Sequence, residues 1–442
     1  MGGKAVQDSG ETLSAAERQK NDRTISMKFF VTGLCLQGNK GGPALALSLM
    51  KVLRAEIPEA EFVFSVPPEP EFQFEQKRAR TYGVKVVEDN WDGGLPSLHP
   101  WRVLKEGLGS SLRRLRKLKT WHQSMRSCDV VLDMTAIGYV GPPEGSEYHG
   151  LGMRYRYFKA AKRTRRVFRA WTQSYGPFST PALAKAAKED LSTLPTVYCR
   201  GEETLRQVQA FLPGKDCRAY PDVAVVLDYD RQQGHELIKK AFGQTPDRKL
   251  VTISPSAVQF GKDLSGGESA YVRQRARLVD QLLDRGYAVL FVPHTSHPTQ
   301  HTPYRCDLAV SLAIHALVRP SPWVSVIYAD LSASDLKSVI SCADVHIGSR
   351  YHSVVAALSA AVPAISLSWH HKYADIMTIY EQSKFVLDGQ SQTLVEDCTA
   401  MVEELMARSD EVSAQLTALQ PQVAAAVYEN ARHLVQGLPL KQ

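Results

Sequence analysis

Short apolar runs alternate with longer amphipathic stretches along most of the chain. This alternation predicts an α/β architecture built on parallel sheets. Lys28–Gly33 reads as a buried strand, followed by a glycine-rich turn and a helix from Pro43 to about Ala55. Further strands are expected at Glu61–Val66, Asp129–Met134 and Arg169–Ser174, with a short one at Thr196–Cys199 before a helix that begins near Glu202. An apolar run opening at Tyr220-Pro221-Asp222-Val223-Ala224 closes this half. After the charged stretch Asp228–Arg248 the pattern restarts. Strands are expected at Leu250–Ser254, Ala288–Pro293 and Val324–Tyr328, and helices at Tyr271–Arg285, Asp307–Leu317 and Ser334–Ser341. Two such halves predict two Rossmann-like domains facing a cleft, over residues 27–235 and 236–392. The tail over 393–442 reads as helical and is expected to pack back across the first half. Residues 1–26 are polar and expected to be disordered.

The densest cluster of chemistry lies in the stretch that begins at Val345. A buried strand ends in a turn, a helix of small and apolar residues follows, and then come Pro363 and a second strand. Arg350 and His352 stand two residues apart in that turn, at the carboxyl end of the strand, where open α/β sheets bind their ligands. The first turn of the helix adds free backbone N–H groups and a positive dipole end. A cation, an imidazole and a helix N-terminus on one spot point to a ligand bearing phosphate or carboxylate. An Arg and a His on a solvated loop is the plainer reading, and the strand–turn–helix–Pro–strand context argues against it. Other turns fit the same cleft. Gly38-Asn39-Lys40-Gly41-Gly42-Pro43 opens the first helix with glycines that let a ligand approach backbone N–H groups, although it matches neither the Walker A nor the dinucleotide spacing. Gln173-Ser174-Tyr175-Gly176-Pro177 ends a strand, and Arg200 ends another just before Gly201-Glu202-Glu203. A chain reversal and a surface arginine are the plain alternatives for these two.

Composition narrows the classes. With 442 residues, two domains are the natural expectation, and 44% hydrophobic with 22% charged residues is ordinary for a globular chain. No apolar run is long enough to cross a bilayer, and no hydrophobic signal segment stands at the start. The seven cysteines are scattered without a CxxC pair, so a disulfide framework or zinc site is not expected and a reducing, cytoplasmic compartment is. No metal site is expected. The net charge of +7 is concentrated in Trp101–Arg126 and Arg154–Arg169, two stretches that read as basic helices with interleaved aromatics. Solvated faces, a nucleic-acid footprint and a membrane-surface patch are the three readings of such runs. No recognised nucleic-acid motif supports the second.

Taken in order, Gly38-Asn39-Lys40-Gly41-Gly42, Gln173–Pro177, Arg200 with Glu202 and Glu203, Pro221-Asp222, and Arg350-Tyr351-His352 through Pro363 to Lys372 resemble the polysaccharide pyruvyl transferases. The resemblance runs from about residue 28 to 390. It implies a two-domain fold like the GT-B glycosyltransferases. It also implies transfer of the pyruvyl group of phosphoenolpyruvate to two hydroxyls of one sugar, with phosphate released and no metal or organic cofactor needed. On that basis His352 is expected to be the general acid that protonates the enol ether carbon. Arg350 and Arg200 are expected to clamp phosphate and carboxylate, with Lys372 as supporting charge. His294, at another strand end, is a lesser donor-side candidate. Gly38, Asn39, Gly41 and Gly42 are expected to line the acceptor side. Two departures fall in that half: Met134–Tyr139 carries one glycine where the family has a run of them, and Gly42 stands where the family has an acid. The basic stretches lie there too, which suits a sugar acceptor on a polyprenyl-diphosphate carrier and an enzyme associated with the inner face of the membrane. Two alternatives stay open. One is a glycosyltransferase with a nucleotide-sugar donor, for which Asp375 or Glu381 would serve. The other is a non-catalytic anion-binding component of a glycan assembly complex.

Overall fold

The computed structural model describes residues 26–68, 70–89, 108–139, 152–262, 269–296, 306–368 and 372–439. Strands β1 (Ser26–Thr32), β2 (Glu59–Val66), β3 (Lys85–Glu88), β4 (Val130–Asp133) and β5 (Val167–Ala170) form a parallel sheet in the order β3-β2-β1-β4-β5. Strands β6 (Leu250–Ser254), β7 (Ala288–Phe291), β8 (Val324–Val326), β9 (Val345–Gly348), β10 (Ala364–Ser368) and β11 (Val386–Asp388) form a second, in the order β8-β7-β6-β9-β10-β11. Both sheets reverse their winding direction beside their first strand, and in such folds the crevice at the carboxyl ends of the strands there takes the ligand. Val-Val-Leu-Asp of β4 and Leu-Val-Thr-Ile-Ser of β6 are buried at every position, as strands covered by helices on both faces must be.

The halves are joined by more than the chain. One apolar core holds Phe29 and Val31 of β1 together with Val251 of β6 and Ile347 of β9. The helix Gly41–Glu56 and the turn Val223–Val226 pack between the sheets. The 28-residue helix Ser409–Gln436 leaves the second half and lies on the first. There the Asn430 amide donates to Thr172 Oγ1, and Tyr220 donates to Glu429 at 3.2 Å. Arg169 reaches the carbonyl of Gly437 at 2.8 Å. A second core cluster, built around Phe30, Trp121, Met125 and Phe158, lies under the helices Leu108–Arg126 and Gly152–Thr164.

Several elements differ from the expectation. The predicted strand Arg169–Ser174 is Val167–Ala170; the chain then leaves the sheet, and Ser174-Tyr175 pairs instead with Ile137-Gly138. The basic helix expected through Arg169 ends at Thr164, and its first arginine is not on a solvated face. Arg154 is 1% exposed, bridged to Asp133 at 2.6 Å and to Asp190 at 2.8 Å, both of them buried. Two carboxylates inside the core are what draws a guanidinium inward. The short strands β3, β11 and Cys217–Tyr220 were not expected; each is only three or four residues long. The disorder expected for residues 1–26 falls, Ser26 apart, outside the described residues, as do Arg102 and Lys105. Among the described residues no helix is long and apolar enough to cross a membrane.

Candidate active site

The turn after β9 is held by its own hydrogen bonds. Ser349 N donates to Ser254 O at 2.9 Å, and Tyr373 donates to Ser349 O at 2.9 Å. Arg350 then caps the helix Tyr351–Ser359 in extended backbone, its carbonyl accepting from Ser353 N and Val354 N. Its guanidinium grips Asp307 with two bonds, Nε to Oδ2 at 2.8 Å and Nη2 to Oδ1 at 2.5 Å. Asp307 is buried and also accepts from Ala257 N at 2.8 Å. Planar bidentate pairing of this kind fixes orientation as well as charge. Burial alone would lower the pKa of Arg350, but the contact with Asp307 outweighs it and the pKa rises.

His352 is packed against the glycine-rich turn of the other half. A Cβ on Gly41 would lie 2.2 Å from His352 Nδ1, so only glycine lets the first helix come this close. The other ring nitrogen, Nε2, is 3.7 Å from Asp222 Oδ2 and makes no hydrogen bond. Burial pushes the imidazole down to about 4; Asp222 offsets this in part, while Arg200, Lys372 and His294 add to it. Asp222 ties the site together. It accepts from Arg200 Nη1 at 2.7 Å and from Ala224 N at 2.8 Å. Burial would raise its pKa, and His352 and Arg200 hold it below the usual carboxylate value.

Arg200 itself is 3% exposed. Beyond Asp222, its Nε donates to Ser174 Oγ at 3.2 Å and its Nη2 to Ala136 O at 3.0 Å. It is a buried strut under the site rather than an open hand. Two cations lie over the Tyr351 ring, Arg200 at 4.6 Å and Lys372 at 5.6 Å from its centroid. Lys372 is buried and pushed down to about 7, first by desolvation and then by Arg200 and Arg350, with Asp222 opposing. Burial, and after it the neighbouring guanidiniums, disfavours the charged form of Lys372 here, and an anion beside it would favour that form.

The glycine-rich turn reaches across to the second half. Lys40 N donates to His294 O at 2.9 Å, Ser296 N to Gly38 O at 3.3 Å, and Asn39 pairs with Thr295. Asn39 Oδ1 accepts from Gly41 N at 3.1 Å, shaping the turn from within. The ammonium of Lys40, together with Gln37 and Arg78, converges on Asp330. His294 is buried, with Nδ1 3.1 Å from Val292 O and 3.2 Å from Ser254 Oγ. A carbonyl can only accept, so Nδ1 carries the proton; burial pushes this imidazole down to about 4. On the first-half side of His352 opens a cavity of about 260 Å³, bounded by Asn39, Gly41, Ser65, Asp89, Thr135 and Tyr157 among others. Among the described residues no group of acids, histidines and cysteines could hold a metal ion.

The structure therefore brings Arg350, His352, Arg200, Lys372 and His294 to one seam, with Gly38, Asn39, Gly41 and Gly42 against them. The sequence reading assigned no role to Asp222, Asp307, Tyr351 or Asp330. Pro221-Asp222 was visible as part of a motif series, whereas Asp307 and Asp330 carry no local signal. Asp375, a candidate for reading a ribose, lies against Gly201 and accepts from Glu203 N at 3.1 Å. Glu381 is exposed, beyond the end of the helix Lys372–Ile379.

A family model described as polysaccharide pyruvyl transferase matches residues 39–371. The amylovoran biosynthesis protein AmsJ of Erwinia amylovora is 21% identical over 225 residues, which is 49% of this chain and 53% of that protein. The chain thus matches about half the length of that relative. Among solved structures, the UDP-GlcNAc 2-epimerase of Neisseria meningitidis bound to UDP-GlcNAc is similar with a TM-score of 0.56 and 11% identity, over 93% of this chain and 99% of that one. The Anabaena protein Alr3699/HepE in complex with UDP is similar with a TM-score of 0.53 and 12% identity, over 93% and 99%. At such identities these likenesses bear on the fold, a two-domain GT-B architecture.

Proposed function

The chain belongs to the polysaccharide pyruvyl transferase family, and from that premise we propose that it moves the pyruvyl group of phosphoenolpyruvate onto two hydroxyls of one sugar in a bacterial glycan. The observation that carries this reading is the gathering of Arg200, Arg350, Lys372 and His352 on one buried spot, where burial first and the two guanidiniums second bring Lys372 down to about 7. A small donor carrying phosphate and carboxylate favours the charged forms and raises the pKa of both Lys372 and His352. His352 then holds a proton at neutral pH. It delivers that proton to C3 of the enol, C2 becomes an oxocarbenium-like centre, and an acceptor hydroxyl adds there, its proton passing back to His352. The second hydroxyl of the same sugar takes the place of the phosphate, which leaves with the C–O bond pair and takes up that hydroxyl's proton, and the cyclic ketal closes. Arg350, oriented by Asp307, presents its outer edge to the donor. Arg200, held by Asp222, supports the site from below through Tyr351.

The acceptor sugar is assigned to the cavity between the glycine-rich turn and β2, where Asp89 and the Tyr157 hydroxyl, which donates to it, face the same space as His352. Asp89 and Tyr157 also border a groove of about 560 Å³ between the two basic helices, with Trp121 and Leu118 on its floor and Lys119, Arg126 and Arg163 about it. An apolar floor with a basic rim suits the carrier end of a polyprenyl-diphosphate-linked acceptor and supports the reading of an enzyme that works at the inner face of the membrane. Charge reversal over Arg113–Lys119 should abolish co-sedimentation with anionic vesicles; unchanged partitioning sinks that part of the proposal.

The test of the function is phosphate release from phosphoenolpyruvate in the presence of lipid-linked or polymeric glycan, with the ketal read on the glycan. Wild-type protein should release phosphate with a matching gain of pyruvyl ketal. Release without ketal, or neither with any bacterial glycan fraction, contradicts it. Asp375 gives Oδ1 to Glu203 N while its Oδ2 has no hydrogen bond, so the nucleotide-sugar alternative is separated from this reading by whether a UDP-sugar binds.

A further inference from the structure

We propose that Asp330 is a positioning residue for His352: from the second half it holds the Lys40 ammonium down, and with it the glycine-rich turn that closes over the imidazole. Asp330 stands in the connection between β8 and the helix Ala333–Ile340. That connection is fixed at both ends, by Ile327 N donating to Phe291 O at 3.0 Å and by the capping box of Ser332 and Asp335. The Asp330 carboxylate is 39% exposed and takes three donors from the first half. Its Oδ1 accepts from Lys40 Nζ, and its Oδ2 from Gln37 Nε2 at 2.6 Å and Arg78 Nη2 at 3.3 Å. Arg78 Nε also donates to Gln37 Oε1 at 2.9 Å. On the same helix, Phe72–Thr81, the buried Glu75 accepts from Leu36 N at 2.6 Å and from Gln37 N at 3.2 Å. The glycine-rich turn is thus gripped from the first half by Glu75 and Arg78 and from the second by Asp330.

Exposed ion pairs contribute little, but this one has a buried end. Lys40 is 3% exposed, and Asp330 is the acid paired with it among the described residues. Burial lowers the pKa of Lys40, and the hydrogen bond and charge of Asp330 oppose that. A buried ammonium that loses its partner must move to water or give up its proton. The backbone bonds between the turn and His294–Ser296 are neutral and do not compensate a buried charge. The residue after Lys40 is Gly41, where an added Cβ would lie 2.2 Å from His352 Nδ1. The turn therefore cannot lift with its lysine without uncovering the imidazole.

Burial is the first cause of the low titration of His352; Arg200, Lys372 and His294 add to it and Asp222 opposes. A change at Asp330 leaves these four side chains in place. Taking a negative charge from the seam lowers the midpoint of the imidazole further or leaves it, whereas water reaching the ring raises it. A positioning role and a merely ionic one thus move the midpoint in opposite directions. The inference rests on the pyruvyl-transfer reading only in naming His352 the acid.

The test is an NMR titration of the His352 ring in ligand-free, full-length protein, its signal assigned by its loss in His352→Gln. The midpoint should lie at about 4 in the wild type and rise by about one pH unit or more in Asp330→Asn. Adding Lys40→Met to Asp330→Asn removes the cation that has to leave, and should bring the midpoint back down. A midpoint in Asp330→Asn that is unmoved or lower overturns the proposal, as does a double variant that titrates like Asp330→Asn alone. Should the double variant not fold, the single change decides. Phosphate release from phosphoenolpyruvate, measured on the same proteins, should fall at least about tenfold in kcat in Asp330→Asn. A wild type that releases none removes the pyruvyl-transfer reading, and the titration still decides the role of Asp330.

Discussion

At the residue scale, the proposed chemistry turns on protonation. With His352 at about 4 and Lys372 at about 7, both sit below their usual values because burial and neighbouring cations penalise their charged forms. An anionic donor raises both. Binding should therefore take up protons near neutral pH, and donor affinity should be highest below about 7 and fall as pH rises beyond the free Lys372 value. Calorimetry in buffers of different ionisation enthalpy reads the uptake directly. Removing the acid, His352→Ala, should cut turnover by about 10²–10⁴-fold. Gly41→Ala should do similar harm from the opposite wall, about 100-fold, because its methyl group occupies the place of the ring. Turnover within twofold of wild type in either variant contradicts the assignment. Arg350 and His352 were legible in the sequence because strand, turn, helix and Pro363 are contiguous there. Asp307 was not, because it stands 43 residues from Arg350 and only folding makes them partners.

At the scale of elements, the buried charges of the first half matter most for stability. Arg154 links Asp133 on β4 to Asp190 at the end of the helix Pro181–Leu191. The Tyr139 hydroxyl donates to Asp190 at 2.5 Å and Gln173 Nε2 to Asp133 at 2.6 Å. Arg154→Met leaves two buried carboxylates without their cation and should cost about 3–5 kcal/mol in urea unfolding. A loss under about 1 kcal/mol means the core has relaxed around them. Charge periodicity could not distinguish Arg154 from its exposed neighbours, since its carboxylates arrive from other elements. The same half holds Ala136 and Tyr139 in left-handed backbone, at φ 65° and 56°, in the passage where the family resemblance led to an expectation of glycines. The turn keeps that conformation at a steric cost, and Ala136 O is the acceptor for Arg200.

At the scale of the whole molecule, both sheets share the order in which a central strand starts two oppositely wound halves, and this was legible from the alternation of apolar runs with amphipathic stretches. Less legible was how tightly the halves join, which rests on Val223–Val226, the helix Gly41–Glu56 and the long C-terminal helix. A core cluster shared by both halves predicts that they unfold cooperatively. The fluorescence of Trp171 in the first half and Trp323 in the second, read in single-tryptophan variants, should change at the same urea concentration. Two separated midpoints contradict a shared core.

The central claim is that this seam is a cationic pocket for phosphoenolpyruvate. The most direct measurement is calorimetric titration of phosphoenolpyruvate, with a UDP-sugar in parallel, into wild-type protein and Arg350→Ala near pH 7.5. The prediction is that phosphoenolpyruvate binds with net proton uptake, that Arg350→Ala weakens it at least tenfold, and that the UDP-sugar binds more weakly. Tight UDP-sugar binding with no phosphoenolpyruvate binding would contradict the account.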